Sequence, residues 1–110
     1  MTTFEEYADW SEVFNKHAMS EDLVKDISYI GLGIAGESGE VVDEIKKIVR
    51  DGRVTSERLQ NLILELGDQQ WYIARLVKLL QKKGFHVSMD MVWNNNIKKL
   101  STRYGDKPER

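Results

Sequence analysis

The sequence predicts an all-α domain, a bundle of four to five helices, and three observations predict it. Its only proline is Pro108, so the body of the chain is free of the residue that most disrupts helices. Apolar residues recur at spacings of three and four through most of the chain. Helix start and stop signals divide the periodic stretches near residues 20, 52 and 84.

The first helix opens on Thr3-Phe4-Glu5-Glu6, a capping box in which Thr3 caps and Glu6 reaches back. Phe4, Tyr7, Phe14 and Ala18 form its apolar stripe, widened by Trp10 and Val13, and core packing is the expected role of these aromatics. Trp10, at the stripe's edge, is the one placed to face a ligand's flat ring. His17-Ala18-Met19-Ser20 reads as a break, with His17 structural or solvated and Ser20 a cap for the second helix. Ile27, Ile30, Ile34, Val41, Ile45 and Ile48 carry the apolar face of that helix. Gly31, Gly33, Gly36 and Gly39 each cost a helix roughly 0.8–1 kcal/mol against Ala. Their clustering suggests close approach by a facing helix or a ligand; a kink is the duller account.

Asp51-Gly52 ends the second helix, with Gly52 suited to the left-handed position, and Thr55 or Ser56 caps the third. From Leu59 to Leu80 apolar residues lie on almost every side, the mark of a central helix. A chain of 110 residues rarely encloses such a helix alone, so an obligate dimer or dimer of dimers is expected. Gly84 stops the third helix, His86 falls in a solvent-facing linker, and Val87-Ser88 staples and caps the fourth. Trp93, Ile97, Leu100 and Tyr104 make a core stripe on the last helix, and Asn96, Lys99 and Arg103 share another face. The domain spans 1–104, with 105–110 a polar tail expected to fray.

Composition bounds the function. Sixteen basic and eighteen acidic residues leave a net charge of −2, no electrostatic footprint for nucleic acid. The absence of cysteine excludes disulfides, thiol nucleophiles and zinc–thiolate sites. No apolar run reaches the ~18–20 residues that span a bilayer, and no signal peptide opens the chain, so a cytoplasmic location is expected, of a cell or of the host of a phage.

The sharpest chemical signal is acidic. Glu37 and Glu40 are three apart, as are Glu65 and Asp68, so each pair shares a helix face. The pairs are symmetric about Gly52-Arg53, and an antiparallel hairpin pivoting there sets Glu40 level with Glu65 and Glu37 level with Asp68. Packed helices lie roughly 8–10 Å apart, a gap that inward carboxylates nearly close. Four such groups cannot all stay ionised without cations, and hard divalent ions, Mg²⁺ or Mn²⁺, suit oxygen ligands. Acidic pairs on solvated helix faces are common, and the in-register second pair within an apolar helix is what distinguishes these. Lys47 lies near the face of Glu40 and reads equally as a phosphate ligand or a partner of Glu44. Beside a metal-loaded cluster, Asn96, Lys99 and Arg103 make a cradle for phosphate oxygens. No glycine-rich phosphate loop or serine–histidine constellation is present, so the polar chemistry points to phosphate handled through metal, which lowers the pKa of bound water.

Gly36-Glu37-Ser38-Gly39-Glu40-Val41-Val42, Ile45-Lys46-Lys47 and Glu65-Leu66-Gly67-Asp68 with Trp71-Tyr72 closely resemble the MazG-like nucleotide pyrophosphohydrolases. These belong to the all-α NTP pyrophosphatase superfamily, whose signature is Glu-x-x-Glu, a spacer, then Glu-x-x-Asp. The closing Asn96 to Leu100 with Arg103-Tyr104 is similar too, and the likeness runs from about Leu32 to Tyr104. The resemblance implies hydrolysis of a (deoxy)nucleoside triphosphate to monophosphate and pyrophosphate. It implies Mg²⁺, with Mn²⁺ as a substitute, on Glu37, Glu40, Glu65 and Asp68. Glu37 or Glu40 would serve as catalytic carboxylate, with Glu37 preferred for positioning or deprotonating water at the α-phosphate. Lys47, Asn96, Lys99 and Arg103 would hold phosphates, and Trp10, Ile34 and Tyr72 would form the base and sugar pocket. Homodimers or homotetramers are implied, with a site that draws on two chains. Full MazG proteins carry two such domains in tandem, and one is expected here. The competing readings are a non-enzymatic helical oligomerisation module and a metal-dependent hydrolase of another nucleoside diphosphate derivative.

Overall fold

A computed structural model describes residues 2–15 and 20–105, and among these every regular element is helical. His17, Ala18 and the tail beyond Gly105 lie outside the described residues. Four α-helices follow in order: α1 (Phe4–Ser11), α2 (Leu23–Asp51), α3 (Ser56–Lys82) and α4 (Met89–Tyr104), with a 3₁₀ turn at Glu12–Phe14. No helix among the described residues is long and apolar enough to cross a membrane.

Local chemistry sets most of the ends. Thr3 and Glu6 form the expected capping box. Gly52 closes α2 in the left-handed region at φ 73°, Thr55 caps α3 by accepting from the Arg58 amide, and Ser88 caps α4 by accepting from the Met91 amide. The α2 start differs from expectation. Asp22 is the cap, accepting from the Lys25 amide, while Ser20 gives its amide and hydroxyl to the buried Asp26 carboxylate. A carboxylate buried at that depth needs donors, and Ser20 is in reach to supply them.

The α2–α3 hairpin is the body of the molecule. Its register is marked by Gln69 Nε2 donating to Ser38 Oγ at 3.0 Å, within a residue of the symmetry expected about Gly52-Arg53. Near the turn, Arg58 Nε lies 3.3 Å from Asp51 Oδ2. The apolar core gathers at the far end, where Ile30 on α2 and Ala74, Val77 and Leu79 on α3 are buried together with Ala8 of α1 and Met89.

Polar contacts dock α1 on α3. The Arg75 guanidinium, almost wholly buried, donates to the Ala8 carbonyl, the Ser11 hydroxyl and the Glu12 carboxylate, while Lys78 pairs with Asp9 and Lys82 with Glu12. This is why α1 stops at Ser11 rather than continuing along its apolar stripe: its last turn is held by α3. Phe14 and Trp10 stay half or more exposed, their tilted rings in contact with centres 4.8 Å apart, so the expected burial of Phe14 is not realised within one chain, while Trp10 was the aromatic expected to stand at the edge of the stripe.

Two further expectations are corrected by α4 and α3. Trp93 is 47% exposed, Ile97 62%, Leu100 41% and Tyr104 63%, so the α4 stripe is not core in a single chain. Beyond an edge-to-face contact of Trp93 with Phe4 at 5.4 Å, α4 leaves the body. The first half of α3 is open as well, with Leu59, Ile63, Leu64 and Leu66 exposed. The Cα radius of gyration is 16.7 Å, against roughly 13 Å for a compact chain of this length.

The glycine cluster resolves residue by residue. At Gly33 a Cβ would overlap the Tyr72 ring, the close approach expected of a facing helix, whereas Gly31, Gly36 and Gly39 face open space. Gly31→Ala should therefore raise the thermal midpoint, gaining up to about 1 kcal/mol of helix propensity. Gly33→Ala should lower it, because displacing a packed ring costs about 1–3 kcal/mol. Melting curves followed by circular dichroism check both signs.

Candidate metal centre and adjoining cavity

Glu37 from α2 and Glu65 and Asp68 from α3 each turn one carboxylate oxygen into a common space, all within 4.8 Å of one another. Opposite oxygens around an octahedral Mg²⁺ stand about 4 Å apart, given bond lengths of roughly 2.1 Å, so a slight closure seats an ion. The electrostatics agree with that chemistry. Burial beside the hairpin pushes the Glu37 carboxyl above its ordinary range, aided by the charges of Asp68 and Glu40. Burial also raises Glu65, with Asp68, Glu40, Glu37 and Glu44 adding to it. Such a cluster favours either a proton or a cation, and its all-oxygen donors select a hard one.

The other site residues proposed from sequence fall in different places. Glu40 lies close enough to raise both glutamates but is exposed and stands outside the group of three. Lys47 is 3.3 Å from both Asp43 and Glu44, the carboxylate pairing rather than a free position. Asn96, Lys99 and Arg103 are exposed on α4, and among the described residues no ion pair joins them to the acidic cluster. Ile34 is half-buried on α2, and Trp10 is 59% exposed beside Tyr7 and Phe14.

Tyr72 is placed differently. Its ring lies on α2 at Gly33, one turn before Glu37, and its hydroxyl is pushed up by burial, then by Tyr29, Glu37 and Asp68. It therefore stands between the acidic cluster and a cavity of about 320 Å³ that opens on its other side. Tyr29, Ile30, Trp71 and Arg75 line this cavity, with Glu12 and Asp26 contributing carboxylates.

Glu44 was expected only as an alternative partner of Lys47, and Arg75 was not singled out from sequence. Glu44 is buried, its Oε1 taken by Lys47 and its Oε2 without a hydrogen-bond donor among the described residues, the Arg58 guanidinium being 4.0 Å away. Arg75 is the second. One turn after Trp71 and seven residues after Asp68, it is a charge on the buried side of an apolar helix, and that is its only sequence signal.

Among the described residues every regular element is helical, and an antiparallel hairpin that sets Glu-x-x-Glu opposite Glu-x-x-Asp agrees with an all-α pyrophosphohydrolase domain. The chain belongs to the MazG nucleotide pyrophosphohydrolase domain family, whose model matches residues 26–106. A relative named Gene 37 protein, from Mycobacterium phage L5, is 38% identical over 84 residues, covering 74% of this chain and 69% of that one. No solved structure matches the chain. Membership implies a nucleotide substrate and makes the acidic cluster the candidate metal site.

The raised carboxyls have a consequence for stability. Between the ordinary glutamate value of 4.5 and the raised one, the folded chain binds more protons than the unfolded. These groups therefore favour folding below pH 4.5, and that contribution is lost as the pH rises through the raised values. Glu65→Gln should raise the thermal midpoint of the metal-free chain at pH 7 and leave it unchanged at pH 4. Equal midpoints at pH 7 would show that the cluster stores no repulsion.

Proposed function

We propose that this chain is a Mg²⁺-dependent pyrophosphohydrolase that cleaves a (deoxy)nucleoside triphosphate between its α- and β-phosphates, giving the monophosphate and pyrophosphate. The observation that carries the reading is the convergence of Glu37, Glu65 and Asp68 from two helices within 4.8 Å. Glu40, one turn along α2 from Glu37, completes the set that would hold the ion. Bound there, Mg²⁺ or Mn²⁺ would neutralise the phosphate oxygens and acidify a water.

The residues of the chain divide the remaining work. Glu37, whose basicity is already raised, orients the attacking water and accepts its proton. In-line attack at the α-phosphorus then expels pyrophosphate, and the charge gathering on the leaving group needs cations. Lys47 is one turn from Asp43 and Glu44 and can exchange those partners for a phosphate. Asn96, Lys99 and Arg103 serve the same purpose but stand on an α4 that leaves its own body, so in this reading a second copy of the chain supplies them. The exposed stripe of Trp93, Ile97 and Leu100 on that helix supports burial against a partner, in a homodimer or homotetramer.

With Mg²⁺ and a panel of deoxynucleoside triphosphates, the product should be pyrophosphate. Asp68→Asn and Glu40→Gln should each lower kcat/KM by on the order of 10²–10³-fold with the helical circular dichroism signal unchanged. Orthophosphate as the first product, or activity surviving Asp68→Asn, would overturn the assignment.

A further inference from the structure

Ser38 and Gln69 stand beside the acidic cluster and have no part in the proposed reaction. Ser38 follows Glu37 on α2, Gln69 follows Asp68 on α3, and Gln69 Nε2 donates to Ser38 Oγ at 3.0 Å across the hairpin. Both residues are half-buried, which shields the bond in part from competing water.

By propensity the helices are weak here. Gly36 and Gly39 lie on either side of Ser38, and Gly67 precedes Asp68. Each glycine costs its helix roughly 0.8–1 kcal/mol against Ala. A Cβ at any of the three would meet nothing within 4 Å, so none of them marks a close contact between the helices. The tight approach at Gly33 is one turn before Glu37, and the Arg58–Asp51 pair is back at the hairpin turn. Between those two points Glu37, Glu65 and Asp68 gather oxygens within 4.8 Å, where like charges push the helices apart. The Gln69–Ser38 bond opposes that push, one residue from Glu37 and one from Asp68.

Such a tie governs how closely the carboxylate oxygens can be held. Mg²⁺ demands near-ideal octahedral geometry at about 2.0–2.1 Å, whereas Ca²⁺ accepts about six to eight oxygens at about 2.3–2.6 Å in flexible arrangements. A hairpin free to spread or slide therefore loses Mg²⁺ first.

We propose that Ser38 and Gln69 are positioning residues for the metal centre, and that their hydrogen bond makes the site favour a small divalent ion such as Mg²⁺ over a larger one such as Ca²⁺. The proposal rests on the metal reading above and deepens it by naming what selects the ion.

The test needs no turnover. Mg²⁺ and Ca²⁺ are titrated separately into the metal-free chain, and each affinity is read from the rise in thermal midpoint above that protein's own metal-free value. A general loss of stability therefore does not move the ratio of the two ions. Ser38→Ala and Gln69→Met should each weaken Mg²⁺ binding by about tenfold, the lower end of what loss of an outer-shell hydrogen bond costs a metal site. Ca²⁺ binding should weaken by no more than about twofold, given its flexible coordination. The double variant should bind no more weakly than either single one, since each removes the same bond. Ser38→Thr keeps the hydroxyl and should bind like the wild type. If one variant does not fold, as judged by circular dichroism, the other decides; if neither folds, the pair holds the fold rather than the ion and the proposal is overturned. A wild type that binds Mg²⁺, with variants that lose both ions equally or lose neither, would leave the metal reading standing and end the positioning role. A wild type that binds neither ion would end both.

Discussion

Gly52, at φ 73°, lets α2 end at Asp51 and α3 begin at Ser56, running back along it. That turn sets the register, and the register sets the chemistry. A one-residue slip rotates a helical side chain by about 100° about its axis, enough to swing Glu65 and Asp68 away from Glu37. The hydrogen bond from Gln69 to Ser38 and the seating of Tyr72 on Gly33 hold the same alignment further up the hairpin. Carboxylates on flexible loops would move apart to relieve their repulsion; on two packed helices they cannot. Burial raises the Glu37 and Glu65 carboxyls there, with the neighbouring carboxylate charges adding to it.

Along α3 the chain separates tasks. Its first half is open and apolar, its middle carries Glu65 and Asp68, and its last half anchors the fold through Ala74, Arg75, Val77 and Leu79. Arg75 belongs to two of these regions. It fastens the end of α1 to α3, and it forms part of the wall of the cavity next to the acidic centre. A buried cation is a weak source of stability compared with an apolar side chain of equal size.

The sequence was most legible where structure is written in neighbouring residues. Thr3 with Glu6, Gly52, Thr55 and Ser88 all act over three or four positions, and each takes its expected role. The pairing of Glu37 with Asp68 could be read because a hairpin converts sequence symmetry into spatial symmetry. Ser20 defeated the same logic: Asp22 caps equally well, and the demand of the buried Asp26 for donors is visible only in three dimensions. Periodicity in α4 identified an apolar stripe but not what covers it, since Trp93, Ile97 and Leu100 have the same spacing whether they meet their own chain or another. Arg75, and the burial of Glu44, were invisible for a related reason. Their importance lies in partners and burial contributed by segments far along the chain.

The exposed part of α4 links assembly to catalysis in the proposed function. Trp93, Ile97 and Leu100 form an apolar stripe that one chain leaves in water, and Asn96, Lys99 and Arg103 lie on the adjacent face. Docking the stripe on another copy would fix the direction of the neighbouring cations, so the burial that stabilises the assembly would also position charge for the leaving pyrophosphate. Neither benefit requires a long chain. In that reading a body that leaves much of its third helix open would build half of a site on its hairpin and take the other half from the far end of a partner's α4, beyond the Trp93–Phe4 contact.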